Sequence, residues 1–342
     1  MTIKVGSRLI GRDQPVFIVA EACDNHLGNM DVAREMALRA KLAGADAVKY
    51  QHHLPDEEML PDIPMSDNFR EPLYDFLKKC ALTIDQHAEL MAYCRSIGIS
   101  YMCTPFSYAA ASELAQTGDI EVFKIGSGEL TDIPSLVKIA GLGKPMILST
   151  GMCTLEEIDE TVAALRAVGA TFALMNCVSE YPPVYEDINL RVVQTLMDRY
   201  QELTIGHSDH TPDLYTCYAA VALGARIIEK HIILDKLQPG PDQSVSIDMH
   251  DLHALVDGIR KIERASGRAK RVHEREKQIR AWATRSVVSL RPIRASEVIT
   301  DEMVWTKRPG IGIPSKRLGE VIGRTAACDI AGNTLIRWEQ LR

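Results

Sequence analysis

The feature that most constrains this chain is a repeated alternation of a short apolar run, a few polar residues, and a stretch with helical spacing. Residues 16–20, VFIVA, read as a strand, and 29–42 then carry apolar residues at helical spacing up to Gly44. Further strands are expected at 46–50, 99–103, 122–125, 145–148, 171–177, 203–205 and 226–233. Helices are expected at 84–97, 108–116, 133–139, 155–168, 190–200, 214–223 and 249–265, and a long polar loop at 52–75. Eight such units in about 265 residues predict an α/β chain folded as a (β/α)8 TIM barrel. A doubly wound open sheet is the main rival, but no Gly-x-Gly-x-x-Gly follows the first strand.

The pattern breaks after residue 266, so the barrel is placed at 1–266. Residues 267–282 open with the charged run GRAKRVHEREKQ and read as a linker. Residues 283–342, with short strand-like runs and the turn-rich KRPGIGIPS, read as a small β-rich domain. About 60 residues bury too little surface for comfortable independence, so this domain is expected to pack on a barrel, its own or a partner's. The composition, 46% hydrophobic and 25% charged, is that of an ordinary globular protein. A net charge of −7 gives no sign of a nucleic-acid-binding face, and any anion site must be locally basic. Eight cysteines without a C-x-x-C pair read as reduced thiols of a cytoplasmic protein. The first residues lack an apolar signal core, and no apolar run approaches the ~18 residues of a membrane span.

Barrels of this kind build their sites at the C-terminal strand ends. Polar groups gather there in phase with the strands, which predicts an enzyme: Glu21; Lys49 and Gln51; Thr104; Lys124, Ser127 and Glu129; Ser149; Ser179 and Tyr181; Ser208, Asp209 and His210; Glu229, Lys230 and His231. His210 and His231, on neighbouring strand ends, suit a borderline divalent metal with positions left open for substrate oxygen and water. Taken singly, each is equally a hydrogen-bonded core histidine. Lys49, Lys124 and Lys230 read as a phosphate and carboxylate clamp, with one of them a Schiff-base nucleophile, or all three snorkelling at the rim, as the competing readings. The loops Ser127-Gly128-Glu129 and Ser149-Thr150-Gly151-Met152 either offer backbone N–H groups to an anion or cap helices. No Gly-x-Ser-x-Gly triad frame, P-loop or basic–aromatic nucleic-acid motif occurs.

The stretches AEACDNHLG at 20–28, AGADAVKYQ at 43–51, CTPFS at 103–107, FKIGSGELT at 123–131, KPMILSTGM at 144–152, VSEYPP at 178–183, GHSDHT at 206–211, ALGARIIEKHIILD at 222–235 and GPDQ at 240–243 resemble the sialic acid synthase family, that is, N-acetylneuraminate synthase and related legionaminic and pseudaminic acid synthases. RSVVS at 285–289 and KRPGIGI at 307–313 resemble that family's antifreeze-like (SAF) domain. The resemblance implies a metal-dependent condensation of phosphoenolpyruvate with an N-acylated amino-sugar aldehyde, N-acetylmannosamine or a diacetamido hexose, to a nonulosonic acid and phosphate. It implies manganese, with magnesium or cobalt as alternatives, at His210 and His231. It places phosphoenolpyruvate at Lys49, Lys124, Ser127, Ser149, Ser179 and Ser208, and the sugar near Gln51 and Thr104. Glu21, Glu129, Tyr181 and Asp242 are the implied catalytic groups, and Arg308 is implied to reach the sugar across a domain-swapped homodimer. The chain departs from the family pattern at Cys23, where a glycine is common, and at Asp24, Leu27, Ser107 and Ser179.

Overall fold

The structure, a computed structural model, describes residues 1–64 and 71–342 and divides into two compact units, Met1–Ser266 and Gly267–Arg342. The first unit begins with a hairpin, β1 (Ile3–Val5) and β2 (Arg8–Ile10), whose three-residue strands the sequence pattern did not mark. Eight parallel strands follow: β3 (Phe17–Glu21), β4 (Ala47–His52), β5 (Ser100–Pro105), β6 (Phe123–Ile125), β7 (Met146–Ser149), β8 (Phe172–Cys177), β9 (Ile205–Asp209) and β10 (Ile227–His231). They pair in chain order and β10 closes on β3, which is the expected TIM barrel. Helices α1 (Met30–Ala43), α2 (Pro55–Glu58), α3 (Leu73–Cys80), α4 (Ile84–Ile97), α5 (Tyr108–Gln116), α6 (Ile133–Ala140), α7 (Leu155–Ala167), α8 (Val192–Arg199), α9 (Tyr215–Leu223) and α10 (Met249–Ala265) fill the connections. Local chemistry sets their ends. Asn29 caps α1 by accepting from the Asp31 and Val32 N–H groups, and Gly44 ends it at φ +94.

Strand parity sorts the side chains. Phe17, Val19, Ala47, Met102, Val122, Ile147, Ala173, Met175 and Ile227 point inward and form one apolar cluster with Ile3, Val5 and Ile10 of the hairpin, which plugs one end of the barrel. The neighbouring residues Ile18, Val48, Tyr50, Cys103, Phe123, Leu148 and Ile228 point outward into the larger core beneath the helices. Continuing the inward parity past the plug brings Glu21, Lys49, Thr104, Lys124, Ser149, Cys177, Ser208, Glu229 and His231 to the other end.

Two segments differ from expectation. The strand expected at 203–205 lies instead at Ile205–Asp209, because its polar residues find partners on both faces of the sheet. Gly206 is required there, since a Cβ would stand 2.7 Å from Ile227 Cβ and from its carbonyl oxygen. The expected loop 52–75 contains α2 and the start of α3, while 65–70 lie outside the described residues.

The second unit carries α11 (Lys277–Ala283), within the stretch read as a linker, then the antiparallel pair β11 (Ser286–Ser289) and β12 (Val304–Lys307), and a short α12 (Leu318–Val321). Its own core is built from residues including Val287, Ile293, Ile299, Val304, Ile313, Val321 and Ile336.

Lys230 does not belong to an anion clamp. Lying between inward-facing Glu229 and His231, it points behind the sheet, fully buried, with Nζ 2.6 Å from Asp209 Oδ2. Thr211 and Thr216 also donate to Asp209, at 2.7 and 2.8 Å. Removing one member of a buried pair strands the other, at a cost of about 3–5 kcal/mol. Lys230→Met is therefore expected to lower unfolding free energy by about 3 kcal/mol in urea. An unchanged midpoint would contradict this placement.

Candidate active site

Above the apolar plug the barrel opens into a cavity of about 390 Å³, lined by Glu21, Lys49, Gln51, Thr104, Lys124, Ser127, Glu129, Ser149, Ser179, Tyr181, Ser208, His210, Glu229, His231 and Asp242, whereas Asp209 and Lys230 lie behind the wall. Arg308 lies in the second unit, where its Nε donates to the Ala283 carbonyl at 3.0 Å and its guanidinium sits over Trp282.

Buried charge dominates the cavity floor. Glu229 Oε1 accepts from Lys49 Nζ and from Ser208 Oγ, each at 3.0 Å, and lies 3.5 Å from Lys124 Nζ. Lys49 also pairs with Glu21 Oε2 at 3.3 Å, and Gln51 Nε2 donates to Glu21 Oε1 at 3.0 Å. Burial would raise the Glu229 carboxyl, but Lys124 and Lys49 outweigh it and hold it at about 2. Burial wins at Glu21, raising it to about 7 against the pull of Lys49. Lys49 is itself lifted, because Glu21 and Glu229 overcome its desolvation, whereas burial draws Lys124 down. The floor thus sets the amines of Lys49 and Lys124 against Glu229, with Glu21 drawn toward its neutral form by burial, an arrangement that favours an anion.

Hydroxyls continue this cradle. Lys124 Nζ donates to Ser149 Oγ at 2.7 Å and the Gly151 N–H donates to Ser127 Oγ at 3.0 Å. A Cβ on Gly151 would clash with Ser179 Oγ and stand 2.8 Å from Ser127 Oγ, so the glycine lets these two serines converge. Thr104 Oγ is buried on the wall without a hydrogen-bond partner among the described residues. Glu129 Oε2 is likewise unpartnered, and burial raises its carboxyl to about 7 against a backbone hydrogen bond and Lys124.

His210 and His231 stand with ring centroids 5.1 Å apart, and Tyr181 lies 4.3 Å from the His210 ring. His210 Nδ1 is 2.7 Å from the Val178 carbonyl, which can only accept, so Nδ1 carries a proton and Nε2 is the ring atom left to bind a metal. Burial, then His210, pushes His231 well down, so it is neutral, and its Nδ1 has no partner among the described residues. A group of three donors includes His231 without His210. Cys23, His231 and Asp242, all buried, present ligand atoms within 4.8 Å of one another. Neutral imidazole, carboxylate and sulfur together fit a borderline divalent cation.

Sequence reasoning gave no role to Glu229, the hub of the floor, although its parity with His231 marks it as inward. It also passed over Cys177, Asp24, His53 and Glu58. Burial opposes ionisation of Cys177, but His210 and then Lys124 bring its thiol down to about 7. His53 bridges Asp24 Oδ2 at 3.5 Å and Glu58 Oε1 at 2.9 Å, tying α2 to the rim. Asn25, by contrast, is structural, donating to the Ile232 carbonyl and Ser246 Oγ.

A family model described as the NeuB family matches residues 36–271, and one described as the SAF domain matches 284–342. The chain belongs to the NeuB family. Members similar to it include the N,N'-diacetyllegionaminic acid synthase of Legionella pneumophila, 33% identical over 97% of this chain and 96% of that one. The human N-acetylneuraminate-9-phosphate synthase is 30% identical over 93% of this chain and 90% of its own. The crystal structure of the N-acetylneuraminic acid synthetase of Leptospira borgpetersenii in complex with citrate superposes with a TM-score of 0.74 at 31% identity, covering 82% of this chain and 95% of that one. The NeuB-family match spans every strand of this barrel from β4 onward and the SAF match spans β11 and β12. Among the described residues no helix is long and apolar enough to cross a membrane.

Glu129 provides a pH test of the site. Its folded value of about 7 exceeds the ordinary 4.5, so the folded state holds a proton that the unfolded state has released. Stability therefore falls as pH rises from 4.5 through 7, and the full penalty is present above 7. Glu129→Gln removes that penalty. It should raise the melting temperature of the ligand-free protein at pH ~8 and change it little at pH ~4.5. An equal shift at both would contradict the buried, neutral carboxyl.

Proposed function

We propose that this NeuB-family chain condenses phosphoenolpyruvate with the open-chain aldehyde of an N-acylated amino sugar, giving a nonulosonic acid and phosphate. The observation that carries the reading is the buried floor on which Lys49 and Lys124 face a single strongly ionised carboxylate, Glu229, beside converging serines. A compact polyanion supplies the missing negative charge. Lys124, Ser127, Ser149 and Ser179 take its phosphate, and Lys49 and Ser208 its carboxylate. Gln51 and Thr104 meet the sugar chain.

C3 of phosphoenolpyruvate bonds to the aldehyde carbon, water adds to C2, and phosphate departs with the bridging oxygen, leaving a 2-keto acid. Glu21 and Glu129, both near neutrality, give a proton to the former aldehyde oxygen and take one from the water. Tyr181 closes the wall against His210. A divalent cation beside His210, His231 and Asp242, manganese on the resemblance, would supply Lewis acidity toward the aldehyde oxygen. Met59, Leu73, Leu77 and Phe106 add apolar lining to the cavity suited to acyl methyl groups, which favours a diacetamido hexose over N-acetylmannosamine.

Phosphate release should require both substrates, stop with chelator and return with manganese. Lys124→Met should lower kcat/KM by roughly 10²-fold or more, the scale of losing one charge-stabilising donor. Turnover at full rate in chelator, or release of phosphate from phosphoenolpyruvate alone, would overturn the reading. One observation favours a Schiff-base aldolase instead, the lowered Lys124. Borohydride trapping of pyruvate on Lys124 would establish that alternative.

The SAF-domain resemblance leads us to assign Arg308 to the sugar site of a partner subunit in a domain-swapped, cytoplasmic homodimer. Inactive Arg308→Ala and His231→Ala variants should then recover part of the activity when mixed and allowed to exchange subunits. Proven exchange without recovery would contradict it.

A further inference from the structure

We propose that Cys23 is a further ligand of the divalent cation held beside His210, His231 and Asp242, so that the centre carries sulfur and ranks cobalt, ferrous iron and zinc above manganese and magnesium. The proposal rests on the metal-dependent reading above and specifies the cation's ligands. Four observations support it.

The three donor atoms lie within 4.8 Å of one another and all three residues are buried, so small side-chain rotations bring them onto a single ion. Cys23 Sγ donates to Asp242 Oδ2 at 2.7 Å, so one proton lies between the two groups. A cation replaces that proton and binds both groups, since a ligating thiol must be deprotonated.

The backbone is the third observation. Cys23 has φ +48, a left-handed conformation that costs a non-glycine residue about 1–2 kcal/mol. Glycine would occupy it without strain. A strained side chain aimed at two other donors is better explained by use than by packing.

The fourth is preorganisation. The turn bearing Cys23 is tied to the segment bearing the other two ligands. Asn25 Nδ2 donates to the Ile232 carbonyl at 2.9 Å and to Ser246 Oγ at 3.0 Å, Ser246 Oγ donates to the Asp242 carbonyl at 2.7 Å, and Gln238 Nε2 donates to the Asn25 carbonyl at 3.0 Å. Such outer contacts fix ligand positions before the ion arrives. Sulfur is a soft donor, which shifts selectivity away from cations that prefer oxygen.

The test uses metal-free full-length protein titrated with cobalt(II). Wild type should show a near-ultraviolet sulfur-to-cobalt charge-transfer band together with visible ligand-field bands. Cys23→Ser and Cys23→Gly should lose the first and keep the second, and bind cobalt at least about 10–100-fold more weakly in competition with a chelator. The glycine variant also guards against misfolding, because it relaxes the turn, and its metal-free melting temperature should be no lower than that of wild type. Visible bands without the near-ultraviolet band in wild type would overturn the sulfur ligand and leave the functional reading standing. A near-ultraviolet band that survives both substitutions would assign the sulfur to another thiol, such as Cys177, and also overturn it. No cobalt bands of either kind would overturn both this proposal and the metal-dependent reading.

Discussion

Two ammonium groups buried side by side at the mouth of a barrel set the terms for the rest of this site. Burying an unpaired lysine costs several kcal/mol, so Lys49 and Lys124 need counter-charge within a few ångströms. Glu229 supplies it to both, and its own ionisation is secured by the same two lysines. Glu21 shares Lys49 but is left near its titration point by burial. Balance is thus incomplete without a further anion. The protein as a whole is acidic, at −7, so the attraction is local and small-scale and suits a compact substrate.

The barrel makes this arrangement possible by separating two polar systems that are adjacent in sequence. Inward residues of β3 to β10 stack as an apolar plug and then, one or two residues further on, as the reactive floor. Outward polar residues of the same strands, Lys230, Asp209 and His207, satisfy one another behind the wall. That rear cluster fixes the ends of β9 and β10, from which His210 and His231 extend. Rigid strand ends hold the floor, while α2 and α3 bring Glu58, Leu73 and Leu77 over it.

Much of this was legible in the sequence because periodicity of two and of 3.6 residues is written in single short segments. The eight units and the polar strand ends could be read that way, whereas the tail was legible as SAF-like only through the resemblance of RSVVS at 285–289 and KRPGIGI at 307–313. Parity also contained the fate of Lys230, whose neighbours 229 and 231 cannot share its face. It was misplaced because position at a strand end was weighed without direction. The hairpin at Ile3–Ile10 was missed because two three-residue strands show no period. Cys23 reads in sequence only as a departure from a glycine. Its meaning depends on a contact with Asp242, 219 residues away, which no local pattern encodes.

The central claim is that the lysine-rich floor holds phosphoenolpyruvate so that water attacks carbon and phosphate leaves with the bridging oxygen. Phosphoenolpyruvate carrying heavy oxygen at that bridging position tests it directly, with the label followed by mass spectrometry after turnover with the amino sugar. The account predicts that the label appears in the released phosphate. Label retained in the keto group of the sugar acid would mean that the phosphorus–oxygen bond is the one broken, and would contradict it.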